Sequence, residues 1–257
     1  MGIALLTLFL ATANATTDVS LNTSDGLNVH ATMTTVPGST KGVVLAHMLG
    51  RNKNDWTSLA KRLESAKLSS IAVDLRGHGK SDRSGEQLES ADYLAMVEDL
   101  KAAAAALRQK GITEVSCVGA SLGANLCTQL GAVDPEIVNL VLLSPGLNYK
   151  GVTSGASLKA YGDRPVLIVA AEDDRFAPRN AEALESMAKG QVHYELLPEG
   201  GQGTKMLTRA SNLESLVMSW LAGTFKLMTG ELVRPKPELT KLDDEIETTG
   251  KKMQVHQ

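Results

Sequence analysis

The sequence lacks the features that mark several functional classes. Its 26 basic residues are outnumbered by 29 acidic ones, the formal net charge is −3, and no lysine- or arginine-rich run occurs. We therefore expect no nucleic-acid partner, because binding to phosphates requires a concentrated positive surface. The sequence also contains no metal-ligand cluster, glycine-rich dinucleotide fingerprint or internal repeat. Accordingly, we predict no metal and no cofactor.

Cysteine is scarce, so a disulfide framework does not hold this chain together. The two cysteines are Cys117 and Cys127. The first falls in a predicted strand and the second inside the predicted helix that follows it, an arrangement that usually separates the α-carbons by more than a disulfide allows. The sequence therefore predicts two buried free thiols.

No apolar run reaches the roughly 20 residues that a membrane-spanning helix needs. The N-terminus has a shorter run, from Ile3 to Ala11, followed by the small-x-small triplet Ala13-Asn14-Ala15. This pattern predicts a signal peptide over residues 1–15 and a periplasmic or extracellular protein. The alternative is an apolar N-terminus on a cytoplasmic protein, since no Lys or Arg precedes the run.

Hydrophobic patterning predicts one α/β domain over residues 16–229. Alternating residues around Ser24-Asp25-Gly26 indicate an antiparallel hairpin, and a more alternating run over 192–198 indicates a strand near the sheet edge. Segments of helical periodicity separate the other strands, which predicts a mostly parallel sheet with helices on both faces. Those strands are short, mainly apolar runs at 42–46, 70–75, 114–119, 138–143 and 165–171. The charged segment 230–257 is predicted to be a solvated tail.

Ser121 lies in a pattern typical of an activated nucleophile. Gly119, Ser121 and Gly123 form G-x-S-x-G between a predicted strand and a predicted helix. A serine at a sharp strand-to-helix turn needs small neighbours, and the helix dipole favours negative charge on its oxygen. The alternative is a chance glycine-rich turn.

At this point the chain resembles the alpha/beta-hydrolase family, from about residue 41 to residue 226. Four segments carry the resemblance in the family's order. They are AHMLGRNKNDW, DLRGHGKSD, GASLG and AAEDDRFAP. The resemblance implies the alpha/beta-hydrolase fold and acyl transfer at Ser121, in the manner of a small esterase. Only 18 residues, 147–164, lie between VNLVLLSPG and PVLIVAA, where many relatives insert a helical cap, so we expect an open cleft.

The resemblance also implies where the oxyanion hole lies. The backbone N–H groups of Leu49 and Leu122 occupy the matching positions, with Met48 where the family has glycine. Such donors stabilise the charge that develops on the carbonyl oxygen. His47 and His78 match family positions that are structural, and we do not expect either to act as the base.

The triad acid is expected at Asp174, which is four residues before Pro178 as in the family's pattern. The alternative is that Asp174 caps the following helix, and Asp173 is a candidate for capping a turn there.

The glycine-rich loop LLPEGGQGTKML stands where the family carries the triad histidine, and the matching residue is Gln202. A neutral amide has no basicity near pH 7 and cannot accept the serine proton. None of His30, His193 and His256 lies at the position in the sequence where the family carries its triad histidine.

Two functions remain open on the sequence alone. The first is a serine hydrolase of carboxylic esters or thioesters, impaired by Gln202 or served by another base. The second is a catalytically silent protein that binds a small ligand or a partner in the same pocket. The sequence carries no indication of the oligomeric state.

Overall fold

The computed structural model of the protein describes residues 13–225, except the side chain of Gln87. Most of the predicted signal peptide, the predicted tail over 230–257 and His256 lie outside the described residues. Among the described helices, none combines the length and the apolar character needed to cross a membrane.

The fold is organised around one eight-stranded sheet. The strand order is β1-β2-β4-β3-β5-β6-β9-β10, with β1 and β10 at the edges. The first two strands are antiparallel to their neighbours, and the remaining strands pair in parallel. Their bounds are β1 Ala15–Asn22, β2 Asn28–Thr35, β3 Lys41–Ala46, β4 Ser69–Val73, β5 Glu114–Ala120, β6 Ile137–Leu143, β9 Val166–Ala171 and β10 Val192–Leu197. This arrangement confirms the predicted fold class, including the antiparallel N-terminal hairpin.

Seven helices cover the two faces of the sheet within the described residues. Their bounds are α1 Thr57–Ser65, α2 Ser90–Gln109, α3 Leu122–Val133, α4 Gly155–Tyr161, α5 Ala177–Met187, α6 Met206–Arg209 and α7 Leu213–Leu221. Buried side chains of α2, α3, α4 and α5 pack in one apolar cluster with the sheet, and those of α1, α6 and α7 pack in a second. The central strands are largely buried on both faces, which explains their mainly apolar sequences.

The segment between β6 and β9 is short, as expected. It forms a small antiparallel hairpin, β7 Asn148–Tyr149 with β8 Val152–Thr153, followed by the seven-residue α4. There is no helical cap in this segment, so the carboxyl ends of the central strands are not roofed by an inserted helical domain.

The prediction of two free thiols is wrong. Cys117 on β5 and Cys127 on α3 form a disulfide, with their α-carbons 5.6 Å apart. The physical reason is the sharp turn at residue 121, which folds α3 back against the strand that precedes it. Both cysteines are fully buried in the cluster that α3 shares with the sheet. A strand and a helix that are adjacent in sequence are therefore close enough here to be cross-linked.

Candidate active site

Ser121 stands at a strained turn between β5 and α3. Its backbone has φ 51° and ψ −116°, in a region that residues with side chains rarely adopt. Its N–H donates to the carbonyl oxygen of Leu143 on β6 at 2.8 Å, which fixes the turn to the sheet. Because Ser121 directly precedes α3, its side chain lies at the positive end of the helix dipole.

Glycines flank Ser121 because no side chain fits beside the turn. A Cβ added at Gly119 would lie 2.2 Å from the carbonyl oxygen of Gly123. A Cβ added at Gly123 would lie 2.3 Å from the carbonyl oxygen of Ala46 at the end of β3. The G-x-S-x-G pattern in the sequence thus reflects two backbone contacts that only glycine permits.

Asp174 follows β9 and has one carboxylate oxygen free for a further partner. Its Oδ1 accepts hydrogen bonds from the N–H groups of Phe176 and Ala177, at 3.1 and 3.3 Å, at the start of α5. Its Oδ2 is buried and has no hydrogen-bond partner. Asp174 therefore does cap α5, the alternative reading of the sequence, and it still has the unpaired oxygen that a triad acid requires.

Asp173 shapes the loop that carries Gln202. Its Oδ1 accepts from the N–H groups of Gly200 and Gly201, at 3.0 and 2.7 Å. On the other side of Gln202, the N–H of Gly203 donates to the Ser144 hydroxyl at 2.9 Å. Gly201 and Gly203 have positive φ values of 69° and 60°, which explains why glycine stands at both positions.

A polar contact joins this loop to the segment after β3. The Thr204 hydroxyl donates to Asp55 Oδ2 at 2.5 Å, and Asp55 also forms a bidentate pair with Arg51. These bonds link the segment that contains Leu49 to the loop that contains Gln202. The two loops that border Ser121 are thereby held in one arrangement.

Tyr149 is a residue of this site that the sequence interpretation missed. Tyr149 lies on the β7–β8 hairpin, and its hydroxyl is close enough to the side chains of Ser121 and Gln202 for both to affect its pKa. Burial raises the pKa of Tyr149, and the negative charge of Asp174 acts in the same direction, whereas hydrogen bonding with Ser121 and Gln202 lowers it by less. The phenol is therefore uncharged at neutral pH. The structure thus brings Ser121, Asp174 and Gln202 together around one tyrosine.

The two predicted oxyanion donors come from two different segments of the chain. Leu122 is the first residue of α3, so its N–H has no acceptor within the helix. Leu49 lies in the turn after β3, and its side chain is 38% exposed. Met48 is buried beside the loop of Gln202, where its sulfur lies 2.9 Å from the position that a Cβ on Gly203 would take. Met48 thus packs against the Gln202 loop.

His47 and His78 both have their ring nitrogens engaged by backbone groups. His47 Nε2 accepts from the Leu75 N–H at 3.0 Å, and Nδ1 lies 2.8 Å from the Met48 carbonyl oxygen. Burial lowers the pKa of His47 to about 4, so its ring is neutral near pH 7. His78 Nε2 accepts from the Gly50 N–H at 3.1 Å, and its Nδ1 contacts the Arg76 carbonyl oxygen at 3.0 Å. Both rings anchor the Leu49 turn.

The other described histidines lie away from Ser121. His193 pairs with Leu167 near the start of β10, contacts the Phe225 ring and lies 3.0 Å from Glu195. His30 pairs with Ser20 in the antiparallel hairpin. Within residues 13–225, no other imidazole therefore takes the place of the missing triad histidine beside Ser121. No group of three or more His, Cys, Asp or Glu residues in that range is arranged to hold a metal ion.

Comparison with known families supports the assignment of the fold. The family model described as the alpha/beta hydrolase fold matches residues 42–154. Two curated relatives, uncharacterized proteins of Mycobacterium tuberculosis and Mycobacterium bovis, are 32% identical over 124 residues, or 48% of this chain. The matched part is 33% of each relative, so the match spans about a third of the length of these proteins.

Solved structures of hydrolases share the architecture at low identity. Dienelactone hydrolase from Anabaena variabilis is 16% identical with a TM-score of 0.70, covering 83% of this chain and 99% of its own. Esterase Pf2001 of Pyrococcus furiosus is 16% identical with a TM-score of 0.68, covering 82% and 90%. Est1E of Butyrivibrio proteoclasticus, solved with ferulic acid bound, is 17% identical with a TM-score of 0.64, covering 79% and 99%. At these identities the similarity establishes the fold.

Proposed function

We propose that this chain, which has the alpha/beta-hydrolase fold, is a serine hydrolase of carboxylic esters or thioesters whose triad histidine position is occupied by Gln202. The observation that carries the proposal is the backbone of Ser121. A left-handed φ of 51° at a buried serine is costly, and such strain is retained where it orients a functional group. Asp174 Oδ2, buried and unpaired, is the second element of the same apparatus.

The site supplies two of the three contributions that acyl transfer requires. The strained turn between β5 and α3 presents the Ser121 hydroxyl at the N-terminus of α3. The N–H groups of Leu122 and Leu49 are the donors for a developing oxyanion. Removing one such donor from a serine hydrolase costs about 3 to 4 kcal/mol of transition-state stabilisation. Acceptance of the serine proton is the missing contribution, because the Gln202 amide is not a base. Activity is therefore expected to be low.

The surroundings of the site favour small or extended esters with an apolar part. The strand ends carry no helical cap, and two of the exposed large apolar side chains lie in segments that carry site residues. Leu49 is 38% exposed on the turn after β3, and Phe176 is 61% exposed two residues after Asp174. Exposed apolar groups beside a polar centre are a common feature of ligand sites.

Covalent labelling tests the proposed nucleophile directly. A fluorophosphonate probe is expected to label Ser121. Turnover of p-nitrophenyl acetate is expected to exceed the rate that an oxyanion hole and substrate binding alone supply, which is about a thousandfold above uncatalysed hydrolysis. In Ser121→Ala, labelling should disappear and turnover should fall to that lower rate. The matched control is Ser116→Ala, which removes a hydroxyl from β5 and leaves the turn at Ser121 unchanged. Labelling that persists in Ser121→Ala would rule out Ser121 as the nucleophile.

A catalytically silent binding protein is the second candidate. The four described histidines favour it. His47 and His78 have their ring nitrogens bonded to backbone groups, and His30 and His193 lie away from Ser121. In that case Ser121, Tyr149 and Gln202 would be hydrogen-bonding groups for a bound ligand, and neither labelling nor turnover would depend on Ser121. The same experiment therefore separates the two candidates.

We also propose that the protein is exported. The Cys117–Cys127 disulfide supports this proposal, because disulfides persist mainly in oxidising compartments. The mature protein is expected to begin near Thr16 and, when denatured and alkylated without reductant, to show no free thiol at these two positions. Mass spectrometry of the protein isolated from its native host checks both. Two alkylated cysteines and an intact N-terminus would indicate a cytoplasmic protein instead.

A further inference from the structure

The β7–β8 hairpin is a built support for one side chain, that of Tyr149. Asn125 on α3 is fully buried and binds the segment twice, accepting from the Gly146 N–H at 3.0 Å and donating to the Val152 carbonyl oxygen at 2.8 Å. The Ser154 hydroxyl donates to the Gly146 carbonyl oxygen. Buried polar groups that are satisfied in this way fix a segment in one conformation.

The absence of a side chain at Gly146 makes room for the tyrosine ring. A Cβ at Gly146 would lie 2.5 Å from Cε2 and 2.7 Å from Cζ of Tyr149. The ring therefore lies against bare backbone, with its hydroxyl near the side chains of Ser121 and Gln202. The Tyr149 hydroxyl donates to the Ser144 carbonyl oxygen at 3.4 Å, a long and therefore weak hydrogen bond. The phenolic proton is thus only loosely held.

Resting on the proposed function, we propose that Tyr149 is a catalytic residue that relays the proton of Ser121 to the leaving group, the task that Gln202 cannot perform. The relay needs a neutral hydroxyl that can accept and donate at the same time, and a tyrosine hydroxyl has both capacities. Its contact with Ser121 supplies the accepting side. Its contact with Gln202 places it on the side of the serine where the family's base exchanges protons with the leaving group.

The relay balances protons without an external base. In acylation, Ser121 Oγ forms a bond to the substrate carbonyl carbon and gives its proton to the Tyr149 oxygen. Tyr149 gives its own proton to the ester oxygen as the bond between that oxygen and the carbonyl carbon breaks. In deacylation, a water molecule attacks the acyl carbon and passes a proton to Tyr149, which returns a proton to Ser121 Oγ as the acyl bond breaks. Tyr149 is neutral before and after each step.

In this scheme Gln202 is a positioning residue. Its amide interacts with the Tyr149 hydroxyl and transfers no proton. We expect Gln202→Leu to change the acylation rate by less than about tenfold, because the proton path between Ser121 and Tyr149 remains. Removal of a proton-transfer group is expected to cost about a hundredfold or more.

Acylation rates of the full-length protein with p-nitrophenyl acetate and with ethyl acetate test the relay. Tyr149→Phe keeps the ring against Gly146 and is expected to slow acylation by about a hundredfold or more. The loss should be greater for the ethyl ester, whose leaving group requires protonation, than for p-nitrophenol. The control is Tyr161→Phe, which removes a buried hydroxyl that bonds to the Pro165 carbonyl oxygen and is expected to leave the rates unchanged.

Two further measurements separate proton relay from structural support. The unaltered protein is expected to acylate at a rate independent of pH between about 5 and 9, because burial holds the pKa of Tyr149 above its usual value of about 10. In a Gln202→His background, Tyr149→Phe should cost less than about fivefold, since the imidazole then carries the proton. A merely structural tyrosine would cause the same loss in both backgrounds.

The possible failures are distinguishable. If Ser121→Ala abolishes labelling and lowers turnover but Tyr149→Phe acylates as fast as the unaltered protein, the relay is wrong and the proposed hydrolase stands. If Ser121→Ala has no effect on either signal, the hydrolase itself is wrong, and the relay with it. A loss in Tyr149→Phe that is identical for both esters and both backgrounds also overturns the relay.

Discussion

Gln202→His is expected to raise kcat/KM for p-nitrophenyl acetate by at least about a thousandfold, equivalent to about 4 kcal/mol of barrier. The reason is that an imidazole supplies the missing proton acceptor, and loss of a triad base costs on the order of a millionfold in kcat in a serine protease. A histidine here would find Asp174 Oδ2 buried and unpaired, available to accept its Nδ1–H. The rate should rise with pH through the imidazole pKa, near 6.5 when unperturbed.

Three controls sharpen this experiment. Gln202→Asn shortens the amide without adding an imidazole and is expected to give no gain. Gln202→His combined with Ser121→Ala should return turnover to background, and combined with Asp174→Asn it should lose most of the gain. A Gln202→His protein that folds as stably as the unaltered one yet shows no gain would exclude this loop as the site of the base.

Arg76→Met is expected to destabilise the fold by about 3 to 5 kcal/mol, because it leaves a buried carboxylate without its partner. Arg76 is 1% exposed and contacts two acidic side chains. Its guanidinium donates to Asp99 Oδ1 at 2.6 and 2.9 Å, and to Asp25 at 2.5 and 3.1 Å. Asp99 is fully buried, whereas Asp25 is partly exposed in the β1–β2 turn. Arg76 therefore joins α2 to the N-terminal hairpin.

Denaturant unfolding with a matched surface pair provides the measurement. Lys41→Met removes an ion pair whose side chains are both 51% exposed, and it should cost less than about 1 kcal/mol. Combining Arg76→Met with Asp99→Asn removes the buried charge and should recover part of the lost stability. A free-energy loss below about 1 kcal/mol for Arg76→Met alone would show that Asp99 finds another partner.

The sheet could be predicted from the sequence because its strands obey simple rules. β3 and β5 are buried on both faces beyond their first residues, so GVVLA is apolar throughout and EVSCVG is mainly apolar. The polar alternation around Ser24 matches the half-exposed hairpin at the sheet edge. The order of the site segments could also be predicted, since each follows a recognisable strand.

Features that depend on packing between distant segments could not be predicted in this way. The disulfide was missed because the spacing of Cys117 and Cys127 does not reveal how sharply the turn at Ser121 folds α3 back onto β5. Tyr149 was missed because a two-residue strand has no periodicity, and its position depends on bonds from Asn125 and Ser154. Asp173 was a candidate for capping a turn, but its contacts with Gly200 and Gly201 depend on the packing of β9 against β10.

The loop around Gln202 has a consequence for how this protein evolves. Its shape is set by backbone N–H groups bonded to Asp173 and Ser144, so the amino acid at its apex is not required to hold it in place. Histidine and glutamine codons differ by one nucleotide, at the third position. A single nucleotide change can therefore exchange glutamine and histidine at this position, and the backbone hydrogen bonds that shape the loop do not depend on which of the two is present.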